Sequence, residues 1–146
     1  CRCTPQAVLH YRNRISGPLL DRIDLHIQVP AVRYEDLAGV PKGEGSEAIR
    51  ARVCAARGRQ HDRFRGRPGA LCNATMGPGD LQTFCALDGA AQDLMRLAMG
   101  EYRFSARAYD RILKVARTIA DLDGAAAVQA SHITEAIQYR TLDRAQ

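Results

Sequence analysis

The segment from Ser105 to Gly124 constrains the fold of this chain more than any other. Tyr109, Ile112, Leu113, Ala116, Ile119 and Ala120 recur there at three- and four-residue spacing, the pattern of a helix that buries one stripe. Ser105 is a good N-cap residue and Gly124 a good terminator. Such a helix needs partners to cover its apolar face, and the sequence supplies them. Ser46 and Glu47 open a helix reaching about Phe64, with Ile49, Val53, Ala56 and Gln60 on one face. Residues 66–79 hold four glycines and two prolines and form a loop. Pro78-Gly79-Asp80 opens a short helix through Leu81, Phe84 and Cys85. Asp88 caps another, ending near Gly100, with Leu94, Leu97 and Ala98 inward. Ser131 caps a last one striped by Ile133, Ala136 and Ile137. From position 46 onward the expectation is a helical bundle.

The first thirty residues follow other rules. A short helix fits residues 6–14 after Pro5, and Gly17-Pro18 breaks it. Leu19 to Asp24 forms a turn or a single helical turn. Leu25-His26-Ile27-Gln28-Val29 alternates apolar and polar up to Pro30, which predicts a strand. A lone strand leaves its backbone groups unpaired, so residues 1–30 belong to a larger α/β unit. Residues 31–45 are the linker, Gly- and Pro-rich over 38–45. The opening Cys1-Arg2-Cys3 carries no Met, as an excised segment would. The expected organisation is 1–30, the end of an α/β core; 31–45, a linker; and 46–146, a helical domain.

Composition narrows the setting. There is no run of about 18 apolar residues and no signal-peptide pattern, so no membrane association is expected. Five cysteines in 146 residues make an odd set without a disulfide framework, which favours a reducing cytoplasm. Cys1 and Cys3 offer two of the four ligands that tetrahedral zinc wants. They read as free thiols, or as half of a site completed by residues upstream. The net charge is +5, carried mostly by Arg. That balance permits nucleic-acid binding without establishing it.

Chemical motifs are sparse. The chain has no Gly-rich loop ending in Lys-Ser/Thr, no His-Glu-x-x-His helix and no serine elbow. Its histidines, His26, His61 and His132 among them, read as surface or capping residues. Two local patterns stand out. Leu19-Leu20-Asp21-Arg22 places an arginine just ahead of the expected strand. Phe104-Ser105-Ala106-Arg107 places another in the first turn of the strongest helix, where a cation opposes the helix dipole at a cost of about 0.3–1 kcal/mol. An anion between the two would explain both. Separately, residues 46–67 carry a dense Arg strip, with Arg50, Arg57 and Arg63 as the nucleic-acid candidates. Only Phe64 interleaves it, so base stacking is not supported. A solvated face or an acidic neighbouring subunit explains the strip equally well.

These patterns carry a resemblance. The stretch from Cys1 to Pro30, with its core Tyr11-Arg12-Asn13-Arg14-Ile15-Ser16-Gly17-Pro18-Leu19-Leu20-Asp21-Arg22-Ile23-Asp24-Leu25, resembles the end of the AAA+ core in magnesium-chelatase-like proteins. Ser105 to Leu122 resembles the same family's lid helix, and Ile137-Gln138-Tyr139-Arg140 its last helix. Ile23 stands where the pigment-biosynthesis chelatase subunit usually has Phe, which points to the competence protein ComM branch. The implied fold is mainly α: a helical AAA+ lid preceded by the last helix and strand of the core. The implied roles are specific. Arg22 matches the arginine finger, offered to ATP held by a neighbouring protomer, and Asp21 orients it or contacts that neighbour. Arg107 matches sensor 2, touching the γ-phosphate of ATP in its own protomer. The resemblance further implies ATP and Mg in the full-length protein, a homo-hexameric ring, and DNA as the substrate of an ATP-driven branch-migration motor in natural transformation. A chelatase-type motor acting on a protein partner, or a non-enzymatic basic helical module, are the alternatives.

Overall fold

The structure is a computed structural model that describes residues 2–34, 38–39, 43–67, 69 and 71–140. The described elements are α1 (Pro5–Arg12), α2 (Gly17–Leu20), α3 (Ser46–Phe64), a 3-10 turn (Asn73–Thr75), α4 (Pro78–Phe84), α5 (Gly89–Tyr102), α6 (Ala106–Asp123) and α7 (Ala130–Gln138). The fold is mainly helical, as the sequence implies. Among the described residues, no helix is long and apolar enough to cross a membrane.

Helix α6 is the central element. It packs against α3, α4, α7 and the 3-10 turn. Its stripe is buried: Ala108, Ile112, Leu113, Ala116 and Ala120 are each at most 4% exposed. The Ser105 side chain caps it by accepting from the Ala108 N–H at 3.1 Å, and the Asp88 carboxylate does the same for α5 at Ala91. Gly124 ends α6 at φ 75°. Glycine is favoured here because the left-handed backbone disfavours side chains; a Cβ would also come within 3.0 Å of the Arg59 guanidinium, which would have to give way. Met95 and Ala98 of α5, with Ile133, Ala136 and Ile137 of α7, close the core.

Several local expectations need correcting. The N-cap of α7 is Gln129, not Ser131; the Gln129 N–H donates to His132 Nδ1 at 3.0 Å. Helix α3 is capped by Gly45 rather than Ser46. Its inner face is shorter than expected, for Ile49 and Val53 are exposed while Ala56 and Gln60 are buried. Leu97 faces outward. His26, expected at the surface, is buried.

The expected strand over 25–29 is absent: these residues are irregular. No partner strand occurs among the described residues, so the ladder that would define it cannot form. The segment instead lies on the bundle. Leu20 is buried, and the His26 N–H donates to the Tyr139 carbonyl at 2.7 Å. Leu25 and Ile27 border an apolar groove with Val115, Ile119, Leu122 and Tyr139. The 31–45 linker falls partly outside the described residues.

Candidate functional site

Arg22 owes its place to α2. Pro18 at the start of that short helix fixes φ, and buried Leu20 anchors it. The chain leaves through a tight turn, in which the N–H groups of Asp21, Arg22 and Ile23 donate to Gly17, Leu19 and Leu20 carbonyls at 2.9, 3.0 and 3.0 Å. Arg22 is exposed and Asp21 half-buried. Arg107 sits in the first turn of α6, also exposed. The corner ahead of it is a sharp turn: Arg103 ends α5 in the left-handed region at φ 50°, and Phe104 is buried with its ring 5.4 Å from that of Tyr102.

These two corners meet. Gly17, Pro18, Leu20 and Asp21 face Tyr102, Arg103, Phe104 and Ser105 across an open cleft of about 270 Å³. Arg22 and Arg107 lie just beyond its lining, one residue after Asp21 and two after Ser105. An ion pair from Asp24 to Arg111 ties the same two elements together, and Arg111 is one helical turn from Arg107 on the same face. The cis–trans division implied by the resemblance asks the two arginines to face different nucleotides. Their motifs border one cleft.

Asp21 is paired within its own chain. Its carboxylate lies 3.7 Å from the guanidinium of Arg140.

The Arg-rich helix is less of a surface strip than its sequence implies. Arg50 and Arg57 are exposed. Arg63 turns inward, its side chain 13% exposed, and grips the fully buried Asp121 carboxylate with bonds of 2.7 and 2.5 Å. Asp121 also accepts from Arg117 at 2.9 Å and from the Asn73 amide at 2.8 Å. Arg59 donates to its backbone carbonyl at 2.8 Å. Burial pushes the Asp121 carboxyl up, but hydrogen bonds from Arg63 and Asn73 and the Arg117 charge outweigh it, holding the carboxyl below its ordinary value of 3.8. Arg52 is spent on Glu44, and Arg67 on Asp80 and the Phe84 ring. Sequence reasoning missed this buried network. Its signal was present: Arg117 and Asp121 sit four residues apart among the apolar positions of α6.

Cysteine chemistry is modest. Cys3 and Cys54 are exposed thiols, and burial pushes Cys85 up to about 11. Cys1 lies outside the described residues, and so does the half-site reading that depends on it. Among the described residues no group of three or more His, Cys, Asp or Glu side chains gathers as metal ligands.

Residues 43–140 match the model of the C-terminal part of magnesium chelatase subunit ChlI, and residues 1–37 match that of the ChlI subunit itself. The chain belongs to the magnesium chelatase ChlI family. It is 39% identical over 144 residues to the uncharacterised protein YifB of Escherichia coli K12. It is 37% identical over 144 residues to the competence protein ComM of Haemophilus influenzae, and 31% over 140 residues to an uncharacterised protein of Mycobacterium tuberculosis H37Rv. These alignments cover 98%, 98% and 96% of the chain but only 28%, 27% and 27% of the respective relatives. Their order, ChlI-subunit match then C-terminal match, fits a ComM-like C-terminal region. The bundle from α3 to α7 falls inside the C-terminal match and is the family's helical lid domain.

Proposed function

We propose that this chain supplies two ATP-contacting arginines to an AAA+ motor that drives branch migration of DNA. Arg22 is the arginine finger and Arg107 the sensor of the γ-phosphate. The planar, permanently charged guanidinium suits both tasks, pairing phosphate oxygens as charge spreads in the transition state. The observation that carries this reading is the meeting of the two motifs at one cleft. It also supports a refinement: both arginines address one nucleotide. If Arg22 reaches ATP held by a neighbour in the ring, Arg107 reaches the same ATP. Mg would arrive with that ATP, held by residues outside this chain. DNA as the working substrate rests on the likeness to a competence protein and on the exposed Arg50 and Arg57.

The test is ATP turnover and branch migration by the full-length protein, with and without a four-way DNA junction. DNA-stimulated turnover, abolished together with branch migration by Arg22→Ala and by Arg107→Ala, is the expected result. Full turnover in either variant would remove that arginine from the site. Turnover indifferent to DNA but raised by a protein partner would favour a chelatase-type motor.

A further inference from the structure

We propose that Arg140, two residues past α7, is a positioning residue for Arg22, so that the lid adds its own hold on the finger to that of the tight turn after α2. The idea rests on reading Arg22 as the finger. Arg140 is 1% exposed. One arm of its guanidinium donates to the Ile23 carbonyl, and another lies 3.7 Å from the Asp21 carboxylate. Those are the residues on either side of Arg22. A buried charge is costly to keep unless it is paired and hydrogen-bonded; here Nη1 makes the hydrogen bond, and the Asp21 carboxylate, too distant for one, supplies the opposite charge. The same segment is held further along by Arg111 at Asp24 and by the Tyr139 carbonyl at His26. Arg22 is therefore an exposed side chain on a backbone clamped to α6 and α7. An arginine finger acts by placement, so loosening the clamp should lower turnover without weakening ATP binding.

The experiment uses the full-length protein, with ring assembly checked by gel filtration. Arg140→Ala is expected to lower kcat about 10–100-fold while KM for ATP changes less than about twofold. Arg140→Lys should fall between. Mixed rings supply the readout that a merely structural role would not move. Subunits with Arg140→Ala are combined with subunits that cannot bind ATP but keep Arg22 and Arg140. Intact neighbouring fingers should restore turnover at the variant subunits' own sites. If Arg140→Ala does not assemble, Asp21→Asn carries the test with the same expected pattern. Unchanged kcat in the assembled variant, or no rescue in mixtures that do rescue Arg22→Ala, overturns the proposal. Full turnover by Arg22→Ala itself would instead remove the finger reading, and the proposal with it.

Discussion

At the scale of single residues, the core and the polar network give separate predictions. Leu113 is 4% exposed on the stripe of α6, so Leu113→Ala should lower stability by about 2–5 kcal/mol. Urea denaturation measures it; a change below about 0.5 kcal/mol would mean the core can do without that side chain. Arg63→Ala leaves the Asp121 carboxylate short of its main partner. Breaking a buried pair from one side costs about 3–5 kcal/mol; the two neighbouring donors, Arg117 and Asn73, should keep the loss near the lower end. Were Arg63 an outward, DNA-facing residue, that substitution would leave stability almost untouched. The Asp121 carboxyl is held below its ordinary value. Its ionisation therefore stabilises the fold fully above about 3.9, and that stabilisation is lost as pH falls through the lower folded-state value. The stability gap between the native chain and Asp121→Asn should narrow as pH drops below about 3.9. A gap constant from neutral pH down to strong acid would contradict it.

At the scale of elements, the sequence was legible in the helices whose caps and stripes fall where it put them, though not at the starts of α3 and α7. Asp88 and Ser105 cap as expected, Gly124 terminates as expected, and the stripes of α6 and α7 are buried. Elements that depend on partners were not legible. The alternation from Leu25 to Val29 satisfies a strand pattern, yet a strand is a pairing, and no partner strand occurs among the described residues. His26 is buried because the chain folds back on α7, a contact that local pattern cannot encode. In α3, Arg spacing alone could not tell Arg63, whose acid lies far along the chain at Asp121, from Arg57. The finger and sensor motifs were found from their residues; their meeting at one cleft required the fold.

At the scale of the molecule, the chain spans just over a quarter of the length of the relatives it matches. The chain has no phosphate-cradling loop. Alone it should hydrolyse no ATP; turnover by the purified chain above a buffer blank would show that the arginines are not its principal chemical contribution. In the proposed full-length ring, Arg22 and Arg107 serve the same nucleotide. Subunit mixing separates this arrangement from one in which the two arginines face different nucleotides. Rings are assembled from an arginine variant and a partner that cannot bind ATP but keeps both arginines. An arginine that acts across the interface is then supplied by the partner, whereas one that acts within its own subunit is not. Turnover should return for Arg22→Ala and for Arg107→Ala alike. Rescue of Arg22→Ala with none for Arg107→Ala would contradict it, placing the two arginines at different nucleotides despite the cleft their motifs share.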